Sequence, residues 1–225
     1  MSGQLDARPG REAAGATEDG RGLVRGMSFD QAKAMQSLPE PEFGVGELIW
    51  SDYRAHYAYK TESDRTRKLM FVPRMLTNSS MHANVLVRLI QGTPLYLTWF
   101  WRRLLIALHG CDFQPHCRIG PGLRMPHPIG ILVGHGVLGR DVVLQHHITL
   151  SAVTTNWNTG RSPGWFQVGD GVTIFTGTVI AGQIAIGDGA VIGANSLIVR
   201  DIPAGHIVIA GRTRPATEAE RLGNA

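Results

Sequence analysis

The chain has 225 residues, of which 43% are hydrophobic and 18% charged, with 28 glycines; this excludes a disordered polymer and is glycine-rich for an all-helical protein. Its net charge of +4 comes without any long Lys/Arg block, and only three of its 22 basic residues are lysines, so nucleic acid is not the natural partner and the arginines suit phosphate groups on a small ligand. The two cysteines, Cys111 and Cys117, form neither a disulfide framework nor a four-cysteine zinc motif, which fits a cytoplasmic chain.

Residues 1–28 are rich in Gly, Ala, Arg and Glu, lack the apolar run of a signal peptide, and read as a mobile tail. A helical domain is expected over 29–110. Its first helix, 46–60, places Leu48, Ile49, Tyr53 and Tyr57 at helical spacing. The next, 64–76, should be bent or ended by Pro73. A third, 78–91, opens on the cap-type residues Asn78, Ser79 and Ser80 and runs apolar through Val85, Leu86, Leu89 and Ile90. After the break at Gly92-Thr93-Pro94, a fourth covers 95–109. Its apolar part, 95–108, is too short to span a bilayer and is interrupted by Arg102 and Arg103. It reads as a core or oligomer-interface helix, with a membrane-surface helix as the alternative.

Past residue 110 the pattern changes to a period of six. Val168, Ile174, Ile180, Ile186, Ile192 and Ile198 recur without a slip. Four residues after each stand Val172, Thr178, Ile184, Ala190, Ser196 and Ile202, all small or β-branched. This pattern predicts a hexapeptide β-helix in which three hexads close one triangular coil, the large aliphatic points inward, and each coil is buried only by stacking on its neighbours. Earlier, Ile119, Met125 and Ile131 step by six, with Leu123 and Ile129 at the offset; the register slips by one, and Leu138, Leu144 and Leu150 resume beside Val142 and Ile148. The expected β-helix domain is 111–211, interrupted by a loop at 151–167, with a tail over 212–225. Such a loop is either a functional element or a neutral surface insertion.

Six of the nine histidines lie between His109 and His147. His127 stands out because Pro126 and Pro128 fix its backbone on a coil flank, where a neighbouring subunit would pack. A neutral imidazole has the right pKa to take a proton from a hydroxyl near pH 7, provided a carboxylate holds its tautomer. Asp112, fifteen residues earlier and so close to one coil away, is the candidate partner. Neither cysteine sits in a motif that suggests a nucleophile.

The run Gly110 to Gly134, GCDFQPHCRIGPGLRMPHPIGILVG, and the closing coils IGDGAVIGANSLIVRDIPAG resemble serine acetyltransferases and related sugar-acetylating enzymes. The helical MHANVLVRLI segment is similar to what precedes the β-helix in that family. The resemblance implies an α+β chain in which a helical domain precedes a left-handed parallel β-helix, assembled as a homotrimer and possibly a dimer of trimers. It implies acetyl-CoA as co-substrate and no metal, with His127 as base and Asp112 as its orienting residue. It places pantetheine along Thr176, Gly177, Gly193 and Ala194, where small residues let the donor approach, and its phosphates near Arg200, Arg212 and Arg214.

The acceptor side departs from the family. Pro126 stands where the family has the Asp that helps hold serine's amino group, and Gly164 and Trp165 replace the Arg and His of its loop. A zwitterion needs charged partners when it leaves water. The expectation is therefore a sugar, glycan or specialised-metabolite hydroxyl near Trp165, with His146, His147 and Arg161 as further candidates and free serine as the alternative. Outside this class stand a zinc enzyme like the hexapeptide carbonic anhydrases, suggested by Val-Gly-His-Gly at His135 but lacking a ligand at Arg140, and a non-catalytic trimeric scaffold.

Overall fold

The structure, a computed structural model, describes residues 43–151, 165–209, 212–215 and 217. Among the described residues, four helices precede the strands: α1 (Val45–His56), α2 (Asp64–Thr77), α3 (Ser79–Gly92) and α4 (Leu95–His109). Ser63 caps α2 by accepting from Thr66 N, Asn78 caps α3 by accepting from Ser80 N and Met81 N, and Gly110 ends α4 in the left-handed conformation. Helix α2 runs through Pro73 to Thr77, so the proline does not end it. Its last turn is tied down from outside: Arg74 donates to both Glu62 carboxylate oxygens at 2.7 and 2.6 Å and to the Tyr53 hydroxyl at 3.0 Å. Tertiary contacts here override the lost backbone bond.

Among the described residues fourteen short strands follow, in three sheets that form the sides of a triangular coil. Sheet I contains β1 (Asp112–Phe113), β3 (Leu132–Val133), β6 (Thr149–Ser151), β9 (Val179–Ala181) and β12 (Leu197–Ile198). Sheet II contains β2 (Arg118–Ile119), β4 (Gly136–Leu138), β7 (Phe166–Val168) and β10 (Ala185–Ile186). Sheet III contains β5 (Val143–Leu144), β8 (Thr173–Ile174), β11 (Val191–Ile192), β13 (His206–Ile209) and β14 (Arg212–Pro215). All pairings are parallel except β13–β14, so the tail expected from residue 212 begins instead as an antiparallel strand closing sheet III. The hexad aliphatics from Val168 to Ile198 and their offset partners from Val172 to Ile202 are all buried, as the period predicts.

The register slip is larger and earlier than the sequence suggested. Eight residues, not six, separate the buried sheet III position Met125 from the sheet I position Val133, and five separate Val133 from Leu138. The surplus forms a bulge at 126–130, so Ile129, read as an inward offset residue, is 58% exposed. His127 sits in that bulge.

Helix α3 closes the first coil. Its stripe Ser80, Asn84, Arg88 and Gln91 lies at helical spacing, and each member donates to a carbonyl of that coil. Ser80 Oγ reaches Met125 O, Asn84 reaches Leu123 O at 2.8 Å, and Gln91 reaches Cys117 O at 2.9 Å. Arg88 reaches Ile119 O and Gly120 O, each at 2.7 Å. The last parallel rung of a solenoid leaves acceptors with no strand beyond them, and buried acceptors must be paired. Arg88, fully buried, also makes a two-pronged ion pair with Asp52 of α1 at 2.8 Å, and Asp52 accepts from Gly122 N and Leu123 N.

Candidate active site

Two corners of the triangle turn through columns of left-handed residues. On the corner joining sheets III and I these are Gly110, Gly130, His147, Gly177 and Asn195; on the corner joining II and III they are Gly122, Asp141, Gly171, Gly189 and Gly205. His147 is thus a turn residue with φ of 53°, and its exposed ring lies over Gly130, where a Cβ would stand 2.5 Å from Nδ1.

The III/I corner carries the predicted base. Ile129 N donates to His127 O at 2.8 Å, closing a three-residue turn over the buried Pro128 and projecting the exposed His127 imidazole outward. One coil on, the half-buried His146 ring packs edge-on to His127, centroids 6.0 Å apart. His146 Nδ1 lies 3.3 Å from the Thr176 hydroxyl, and Gly177 N donates to His146 O at 3.2 Å. Thr176, Gly177, Gly193 and Ala194 follow on later coils of the same corner, so the predicted base and the predicted pantetheine track share one edge.

Their small size has a second cause. A Cβ on Gly193 would stand 2.7 Å from Val208 O, and one on Gly177 would stand 2.2 Å from Asn195 Oδ1, so coil stacking already demands glycine at both places.

Asp112 is placed differently from the expectation. Its carboxylate takes two hydrogen bonds from Arg102 of α4, at 2.5 and 2.8 Å, and among the described residues no hydrogen bond joins it to His127. The physical reason is reach: α4 ends at Gly110, so its preceding turns lie directly against β1 and deliver a guanidinium fork to the first carboxylate of the coil.

Trp165 falls on a different corner, that joining sheets I and II. There it contacts His135, centroids 5.9 Å apart, and His135 stacks on His116 at 6.0 Å with 23° between planes. Burial and the neighbouring His116 push the His135 imidazole below its ordinary pKa, so this ring favours the neutral form. The sequence reading missed His116 and His135 as a pair, although His116/His135 and His127/His146 share the same spacing of nineteen, about one coil. Arg200 is exposed in the segment after β12 on the same I/II corner, whereas Arg212 and Arg214 lie on β14, where Arg212 pairs with Ile209 at the end of β13 that meets Gly193. Arg161 lies outside the described residues.

Burial raises the pKa of both thiols, Cys111 and Cys117, away from the thiolate a nucleophile needs. Among the described residues no group of three or more His, Cys, Asp or Glu is set to hold a metal, and no helix is long and apolar enough to cross a membrane.

These features define a hexapeptide-repeat β-helix protein with a helical cap and a histidine-bearing corner. No family model matches the chain. It is 28% identical over 149 residues to the serine acetyltransferase of Helicobacter pylori, covering 64% of this chain and 85% of that one. It is 38% identical over 104 residues to serine acetyltransferase 2 of Arabidopsis thaliana, covering 45% of this chain but only 30% of that one. Among solved structures it is similar to soybean serine acetyltransferase complexed with serine, with a TM-score of 0.57 and 27% identity, covering 82% of this chain and 72% of that one. The chain is accordingly a serine acetyltransferase-like hexapeptide-repeat protein with the left-handed β-helix of those relatives.

Proposed function

We propose that this chain is an acetyl-CoA-dependent O-acetyltransferase with L-serine as acceptor and His127 as general base. The observation that carries the reading is that one exposed corner bulge presents His127 at the head of the Thr176–Gly177 edge, in a chain alignable over most of the Helicobacter serine acetyltransferase. His127 accepts the acceptor's hydroxyl proton as that oxygen attacks the thioester carbonyl. The tetrahedral oxyanion collapses, the C–S bond breaks, and the imidazolium returns its proton to the leaving thiolate. No covalent enzyme intermediate is needed when donor and acceptor are held together. Asp112 orients His127 in this scheme once Arg102 yields part of its carboxylate, and the corner and sheet I face of a neighbouring copy complete the site in a trimer.

The expectation of a sugar or glycan acceptor has less support than the serine alternative, because the relatives described above are serine acetyltransferases. One observation favours a second reading with an uncharged acceptor: the loop corner offers the ring stack His116–His135–Trp165. The test is CoA thiol release from acetyl-CoA with L-serine and with a panel of sugars, in wild type and His127→Ala. Serine-dependent release lost in the variant supports the proposal. Release with a sugar and not with serine overturns the acceptor, and unchanged release by the variant overturns the base.

A further inference from the structure

At the II/III corner, apart from the corner that carries His127, helix α1 and the coil line an open cleft of about 630 Å³. That volume falls in the range of small-ligand pockets, roughly 300–1,000 Å³. Helix α1 buries Leu48, Asp52 and Tyr53, and turns its other stripe, Glu47, Trp50, Ser51 and Arg54, toward the cleft. Arg67 of α2 and Arg140 of the corner line it as well.

Arg74, Arg88 and Arg102 each have a carboxylate partner. Among the described residues, Arg54, Arg67 and Arg140 have no ion-pair partner, and all three face one cavity. Arg67 Nε is buried without a hydrogen-bond partner, while its Nη2 donates to Lys60 O at 3.2 Å. Arg140 is held over the Phe43 ring, 5.5 Å from its centroid, so its guanidinium is positioned rather than free. The cleft also carries two carboxylates, Glu47 and Asp141; the Glu47 Oε2 already accepts from Gly44 N at 2.9 Å. Trp50, stacked on Tyr53 with centroids 5.4 Å apart, gives it a rigid aromatic wall.

Three planar forks converging on one cavity, one with an unanswered buried N–H, call for an anion with several acceptor oxygens, which is the geometry of a phosphate rather than of a single carboxylate. We propose that this cleft is a binding site for a small phosphorylated molecule, separate from the histidine edge and independent of the acetyl-transfer reading.

The experiment is isothermal titration of the full chain with inorganic pyrophosphate and with AMP, using citrate at matched ionic strength as the polycarboxylate control. Arg54 and Arg140 are exposed, so Arg54→Ala/Arg140→Ala should leave the fold intact, checked by its urea midpoint; Arg54→Glu alone is the second variant. Saturable binding of at least one phosphate probe, weakened at least about tenfold in the double variant and in Arg54→Glu, supports the site. No binding of either probe overturns it. Equal binding by both variants, which would put the anion on another surface, also overturns it, as would citrate binding as tightly as pyrophosphate.

Discussion

The III/I and II/III corners are built by the same local rule and used differently. Both turn through a column of left-handed residues, mostly glycine. On the II/III corner the side chains serve the coil itself: Asp170 accepts from Arg140 N at 2.7 Å and Asp188 from Asp170 N at 2.8 Å, a ladder of carboxylates bracing successive turns. On the III/I corner the positions in and beside the column hold His127, His146, His147 and Thr176, and only the bulge at 126–130 breaks the rung spacing. The lesson is that a repeat fixes backbone geometry at every corner, whereas chemistry enters where a side chain or an extra residue departs from what the repeat requires.

The largest expected effect tests the support beneath both corners. Arg88→Ala should cost about 3–5 kcal/mol, because it strands the buried Asp52 carboxylate and two carbonyls of the first coil. A urea midpoint within error of wild type would contradict the cap described for α3. Next, His127→Ala should lower kcat/KM for acetyl transfer at least about 10²-fold while His147→Ala stays within a few-fold, which separates the base from the turn residue one coil away. Equal losses in the two variants would erase the distinction.

A smaller effect compares backbone roles. Gly177→Ala should destabilise by about 1–2 kcal/mol through its positive φ and its approach to Asn195, whereas His147→Gly should be neutral or slightly stabilising. Thermal melts of the two variants decide this.

The smallest effect is on pH dependence. Burial is the main cause that lowers the pKa of His56, His109 and His135, with Arg124, His82 and His116 respectively adding to it. The unfolded chain then binds protons first, so stability is flat above pH 6.5, the ordinary histidine value, and falls as the pH drops below it. His135→Gln should flatten that fall in a Tm series from about pH 7.5 to 5. An unaltered slope would show that this ring does not contribute.

The β-helix was legible because its signal is a fixed period in buried aliphatics, and the period survives any detail of side-chain pairing. The helices were legible from their caps, although their tertiary work was not. Helix α3 reads as apolar from Val85, Leu86, Leu89 and Ile90, yet its polar stripe through Asn84 and Arg88 is what meets the coil, and no local pattern says that a buried arginine answers carbonyls more than thirty residues away. The partner of Asp112 was equally hidden, since Arg102 reaches it only after α4 folds back at Gly110. The exposed corner position of His127 was legible from flanking prolines and spacing, whereas Arg54, Arg67 and Arg140 share a cleft only through tertiary structure.

Helix α3 has a consequence for how such a molecule can vary in length. A solenoid end with open acceptors is a template, and another chain's strands could extend it into a fibre. With Ser80, Asn84, Arg88 and Gln91 seated on the first coil, that end is closed to any addition. Extra coils can be accommodated only downstream, between β5 and β13, where each new rung would find the same parallel neighbours above and below. The helix acts as a fixed origin from which every later coil, including the one bearing His127, is counted.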